Sequence, residues 1–243
     1  MSFPPSAPPL TDVQRVLCVL AHPDDVDFSC AGTVAQWVDQ GIEVAYLLVT
    51  RGDAGGFDET PRDRMPVLRE AEQRAAADHV GVKQVEFLDG YADGRLTPSL
   101  ALRRDITAVI RRVRPDRILT SAPLRRWEFI AGPSHPDHLA VGEAATCAVY
   151  PDARNPFAYA ELRDLRAWTV REIWYHGGPN PDHVVDVTDT YPRKLAALRA
   201  HATQTAHMTD LDGTIRARMR GIAERGGLPG DRLAEAYTII RTA

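Results

Sequence analysis

Alternating strand-like and helix-like stretches predict an α/β fold: a mostly parallel sheet flanked by helices, with a small C-terminal annex. Three observations carry this expectation. The runs 15–20 and 43–50 are almost wholly apolar, as strands covered on both faces are. Helix-like stretches separate successive apolar runs, which calls for right-handed crossovers between parallel strands. The length, 243 residues, suits one such domain, and there is no internal repeat or long linker.

The elements follow in order. Residues 1–14 are proline-rich and lack both a positive start and an apolar stretch. They read as a disordered tail rather than a signal peptide, with 15–243 as the single domain. Strand 15–20 runs into Ala21-His22-Pro23-Asp24-Asp25, and a helix over 30–40 ends at Gly41. Strand 43–50 leads through a glycine-rich loop, 51–56, to an alanine-rich helix over 63–79 that stops before Gly81. A short strand at 85–88 and a loop at 89–94 precede a helix over 100–113, stopped near Pro115. Strand 117–120 and a loop of aromatic and basic residues, 124–133, lead to a helix over 135–150 that Pro151 breaks. Later strands fall at 172–175 and 183–187, and a helix at 191–201 has proline near its start. The last thirty residues read as a helix, a turn at Gly226-Gly227 and a short end piece. The whole is a Rossmann-like pattern.

With 29 basic and 33 acidic residues the formal net charge is −4, which lacks the basic footprint of a nucleic-acid binder. The pairs Arg103-Arg104, Arg111-Arg112 and Arg125-Arg126 fall mostly on expected helices and read as solvated faces. Cys18, Cys30 and Cys147 are odd in number and widely spaced, so they read as reduced and buried, as in a cytoplasmic protein. No stretch approaches the roughly 20 apolar residues that span a membrane.

Groups at the carboxyl end of a parallel strand lie where open α/β sheets bind ligands. A dinucleotide-binding chain carries GxGxxG there. Here two carboxylates take that place, which repel a pyrophosphate and attract a cation. Imidazole nitrogen and carboxylate oxygen are zinc ligands, at roughly 2.0–2.2 Å. His22 and Asp25 lie about one turn apart and can converge on one ion. Adjacent Asp24 and Asp25 point differently, so one can ligate while the other holds a water. A catalytic zinc keeps three protein ligands and an open position, so a third ligand must come from elsewhere. Helix capping is the structural alternative for both acids, and Asp27 suits a cap or a bond to a ligand.

A second cluster, Ser134-His135-Pro136-Asp137-His138, lies far downstream. His135 and His138 are three apart at a helix start and share a face. Asp137 between them can hydrogen-bond an imidazole and set its tautomer. His79, His176, His183, His201 and His207 lack such partners and read as structural or surface groups, His201 also as a pocket wall.

With both clusters in place the chain resembles the LmbE-like, or PIG-L, family of zinc-dependent N-acetyl-sugar deacetylases. Ala21-His22-Pro23-Asp24-Asp25 and His135-Pro136-Asp137-His138 carry the resemblance. Gly32-Thr33, the Thr50-Arg51-Gly52-Asp53-Ala54-Gly55 loop, Arg69-Glu70-Ala71-Glu72 and Tyr91-Ala92-Asp93-Gly94 fall in the family's order, so it covers roughly 15–205. It implies His22, Asp25 and His138 as zinc ligands and Asp24 as general base. It also implies that His135 stabilises the oxyanion or protonates the leaving amine, with Asp137 orienting His135. Arg69 and Asp93 match positions that contact sugar hydroxyls. Val26 stands where the family usually has Glu, followed by Asp27; the change touches no ligand. Loops 51–62 and 124–134 match too loosely to transfer a substrate, although Phe57, Trp127 and Phe129 in them suit either sugar stacking or local packing.

The implied function is a metal-dependent hydrolase that removes acetyl from an N-acetylated amino sugar, GlcNAc-like, or its conjugate through zinc-activated water. Its partner would be that small molecule, with no nucleic acid and no membrane span, and the family admits a homo-oligomer. Nitrogen and oxygen ligands suit Fe2+ or another divalent metal as well as Zn2+. An amidase on a non-sugar or thiol-conjugate amide is the alternative of the same chemistry. A non-catalytic metal- or sugar-binding Rossmann-like protein is the alternative of another class; Asp24 and His135 argue against it, since a structural site needs neither.

Overall fold

The computed structural model describes residues 8–57 and 59–243. Strands β1 (Arg15–Leu20), β2 (Glu43–Leu48), β3 (Gln84–Phe87), β4 (Arg117–Ser121), β5 (Glu172–His176), β6 (His183–Asp186) and β7 (Ala234–Arg241) form one sheet. Their order is β3-β2-β1-β4-β5-β7-β6. The first five are parallel, and β7 runs antiparallel to both β5 and β6. The chain order reverses between β1 and β4, so the crevice beyond their carboxyl ends is the switch point of the sheet. Cys18 of β1 pairs with Tyr46 on one side and Leu119 on the other, and His22 leaves β1 at that crevice.

Helices α1 (Asp25–Ser29), α2 (Ala31–Asp39), α3 (Met65–Val80), α4 (Leu100–Val113), α5 (Pro136–Cys147), α6 (Tyr191–Ala200), α7 (Ala202–Thr205) and α8 (Leu211–Arg225) complete the chain. Strand alternation sorts the core into two layers. Val16, Cys18 and Leu20 pack with Val34, Trp37 and Ala76 of α2 and α3. Leu17 and Val19 pack with Leu102, Ile106 and Val141 of α4 and α5. Helix α5 approaches β4 so closely that a Cβ on Gly142 would lie 2.2 Å from the Ser121 carbonyl oxygen, which glycine alone avoids.

The structure refines several expectations. The stretch expected as one helix over 30–40 is preceded by α1, with a break at Cys30. The C-terminal annex is α8 followed by β7, which inserts between β5 and β6. Residues 10–14, expected in the disordered tail, are tied to the body; residues 1–7 lie outside the described residues. Leu10 donates its N–H to Glu172 (2.9 Å) and accepts from Arg117 (3.0 Å), which ties the segment to that buried pair. Nor are all the arginine pairs solvated. Arg111 is buried and donates to the carbonyls of Asp152 and Asn155, and Arg103 grips the Asp152 carboxylate with two bonds. Cys18 and Cys30 are free and buried, Cys147 free and half-buried. Among the described residues no helix is long and apolar enough to cross a membrane.

Arg117 and Glu172 meet at 2.6 Å with almost no exposure, and the guanidinium also stacks over Trp37 and Trp174. Removing one partner of a buried pair leaves an uncompensated charge. Glu172→Ala is therefore expected to lower unfolding free energy by about 3–5 kcal/mol, read by urea denaturation.

Candidate active site

The first motif is shaped by Pro23 and by Asp24, whose φ of 90° and ψ of −24° place a non-glycine residue in the left-handed region. Such strain persists where the surroundings over-determine it. Gln73 accepts the Asp24 N–H (2.9 Å), and Arg69 donates to the Pro23 carbonyl (2.5 Å) and to Asp24 Oδ2 (3.1 Å). Neither acid caps α1 as a capping alternative requires: Asp24 makes no side-chain cap bond, and Asp25 Oδ2 accepts the N–H of His22 (2.8 Å). Val26 is buried in the core.

The second motif sits at the start of α5. His135 is the N-cap, and its Nδ1 accepts the N–H of Asp137 (3.2 Å). The Asp137 carboxylate does not orient His135 as expected. It accepts from Gly94 N–H (2.7 Å) and Leu96 N–H (3.1 Å) and faces His22 Nε2 at 3.1 Å. Its carboxylate points across the sheet because the 91–96 loop offers two free amides there. That loop carries Asp93, whose Oδ1 is 3.0 Å from the same His22 nitrogen.

The two motifs meet. His138 Nε2 lies 2.9 Å from Asp25 Oδ1, and His22 Nδ1 lies 3.5 Å from Asp25 Oδ2. The rings of His22, His135 and His138 stand 5.1–5.3 Å apart between centroids. Each of the three can bring one nitrogen within 4.8 Å of the others, and His22, Asp93 and Asp137 form a second such group. His22 donates Nε2–H to carboxylates, which leaves Nδ1 as an electron-pair donor on the Asp25 side. His138 Nδ1 is buried without a hydrogen-bond partner among the described residues.

Charge follows from this packing. Burial alone would raise Asp25, but His138 and then His22 hold it well below its ordinary value. Burial works to lower His22, yet Asp25, Asp137 and Asp93 hold it well above. His138 is raised in the same way, by Asp25 against burial. Two imidazoles gathered on one carboxylate form a donor set that a divalent cation takes over as it displaces their protons, and the residues fit a metal. Asp24 differs: burial pushes it up to about 6, with Arg69 opposing. His135 is lowered by burial and by the neighbouring His22 and His138.

Arg69 and Asp93 are brought to the cluster, but Arg69 is only 3% exposed and gives both Nη atoms to the protein. Gly52, with φ of 64°, makes room for it, since a Cβ there would lie 2.0 Å from Arg69 Nη1. Phe57, 69% exposed, packs on His207 with 3.9 Å between ring centroids, and Trp127 is 81% exposed with Arg125 over its ring. Sequence reasoning missed Gln73 and understated His201. Gln73 donates to Asp27 Oδ2 (2.9 Å), which also faces His201 Nε2 at 2.8 Å, so a buried chain of bonds supports Asp24 from below. Arg69 and Gln73 are four apart on α3, the spacing that could have flagged the second from the first.

Comparison with known proteins agrees. The PIG-L family model, described as GlcNAc-PI de-N-acetylase, matches residues 17–149. A diacetylchitobiose deacetylase of Thermococcus kodakarensis is 32% identical over 201 residues, covering 81% of this chain and 72% of its own. A 1D-myo-inositol 2-acetamido-2-deoxy-alpha-D-glucopyranoside deacetylase of Rhodococcus erythropolis is 32% identical over 250 residues, covering 79% of this chain and 81% of its own. The solved N,N'-diacetylchitobiose deacetylase of Pyrococcus horikoshii, in complex with an inhibitor, superposes with a TM-score of 0.85 at 29% identity, covering 95% of this chain and 85% of that one. Two converging motifs, the shared sheet and these matches lead to one assignment: the chain belongs to the PIG-L, or LmbE-like, family of N-acetyl-sugar deacetylases.

Proposed function

We propose that this N-deacetylase removes acetyl from a glucosamine-type amide in a small sugar or conjugate. Its metal is zinc, held by His22, Asp25 and His138. The observation that carries the reading is an acid, Asp24, fixed by Arg69 beside two imidazoles that share the Asp25 carboxylate.

Zinc there supplies a Lewis acid for the amide carbonyl and lowers the pKa of water toward about 7. Asp24 takes the proton of the attacking water, and its raised pKa brings it closer to the range a general base needs. His135 receives the N–H of Asp137 at Nδ1, so the proton of its neutral ring sits on Nε2. That N–H donates a hydrogen bond to the carbonyl oxygen as it gains charge, while the departing amine takes the proton that Asp24 removed from water. Asp137 and Asp93 fix the ring of His22 through Nε2. Arg69 holds Asp24 and stands 3.9 Å from Asp93 Oδ2, which leaves Asp93 as the better placed of the two for a sugar hydroxyl.

The test is acetate release from N-acetylglucosamine, N,N'-diacetylchitobiose, N-acetyl amino acids and an N-acetylated cysteine conjugate, before and after chelation and zinc addition. Turnover of the sugars, lost with chelator and restored by zinc, is expected. Turnover confined to the non-sugar amides overturns the substrate class, and turnover indifferent to chelator overturns the metal.

A further inference from the structure

A cavity of about 250 Å³ opens beside Asp25 and His138, walled by Phe28, Pro133, His176 and Arg218. Its charges are nearly all spoken for. Both Asp25 oxygens are engaged by His22 and His138. His176 is bonded to Ser121 Oγ (3.2 Å), and burial pushes it down to about 3, so it is neutral at pH 7.

Arg218 is the exception. Among the described residues it has no hydrogen-bond or ion-pair partner. Its neighbours on α8 show that this is not a property of the helix: Arg216 meets Asp212 at 2.9 Å and Arg220 meets Asp231 at 3.8 Å. Those two lie one turn apart. Arg218, two residues from each, projects from roughly the opposite side. Of the charges that act on it, Glu235 is buried and paired with Lys194 at 2.7 Å, and Arg126 is repulsive. Arg218 is solvent-exposed and lines the cavity, and among the described residues no carboxylate pairs with it.

A planar fork of donors matches carboxylate or phosphate oxygens. We propose that Arg218 recognises an anionic group, carboxylate or phosphate, carried by the substrate on the part joined to the acetylated sugar. This rests on the deacetylase reading of the same site and narrows its substrate class. The C-terminal annex then has a functional task, since α8 supplies a wall that the two motifs lack.

The test compares kcat/KM on three α-glycosides of N-acetylglucosamine: methyl, carboxymethyl and the 1-phosphate. At least one anionic substrate is expected to exceed the methyl glycoside by about 10- to 100-fold, chiefly through KM. Which one does so separates the carboxylate from the phosphate source. In Arg218→Gln the anionic-to-methyl ratio should collapse toward one, whereas a merely structural loss would lower all three together and leave the ratio intact. A ratio near one in the parent, or an unchanged ratio in the variant, overturns the proposal. Absence of acetate release from all three overturns the deacetylase reading instead.

Discussion

Asp24→Asn is expected to keep its metal and lose about 10²- to 10⁴-fold in kcat, the usual contribution of a positioned base. The substitution isolates proton transfer. Asn keeps the shape and an oxygen that can still accept from Arg69, now 3.1 Å from Oδ2. It also tolerates the left-handed backbone at φ of 90° better than most residues other than glycine, so the turn between β1 and α1 should survive. The backbone N–H bond to Gln73 does not depend on the side chain. What is lost is the capacity to take a proton from water. Acetate release gives the turnover and elemental analysis the metal content. Parental turnover with full metal would remove Asp24 from the chemistry and shift the burden to Asp93, the next carboxylate in reach of Arg69.

The parts legible in the sequence are those where one local pattern has one physical solution. Continuous apolarity at 15–20 requires cover on both faces, and the alternating side chains of β1 enter two separate core layers. Two acids in place of a glycine-rich turn exclude a pyrophosphate whatever the rest of the chain does. The less legible parts depend on partners distant in sequence. Nothing around Leu10 announces that Glu172 and Arg117 will claim its backbone. The family resemblance implied that Asp137 orients His135, two residues before it; the amides of Gly94 and Leu96 hold its carboxylate beside His22 instead. His201 looked isolated because its partner, Asp27, lies 174 residues away. Strand β7 was hidden for a related reason: its place between β5 and β6 is set by pairing, not by its own pattern.

The ligand set can be settled by which single substitution empties the site. His138→Ala is expected to lower metal affinity by more than the 10- to 100-fold that loss of a mere supporting bond costs, and to abolish turnover with it, roughly to background. Removing this imidazole leaves His22 and Asp25, two donors where a catalytic zinc uses three. His135 provides the contrast, because its ring is as close to His22 as that of His138: 5.1 Å against 5.3 Å between centroids. Geometry alone therefore permits a site of three imidazoles. The assignment of Asp25 as the third ligand rests on its position between His22 and His138, and on His135 Nδ1 being occupied by an amide. If that is right, His135→Ala retains metal and loses turnover, while Asp25→Asn loses metal. Metal titration of the three variants, each checked for folding by circular dichroism, separates the two sets: retention in Asp25→Asn with loss in His135→Ala would make His135 a ligand and leave the developing oxyanion without that hydrogen-bond donor.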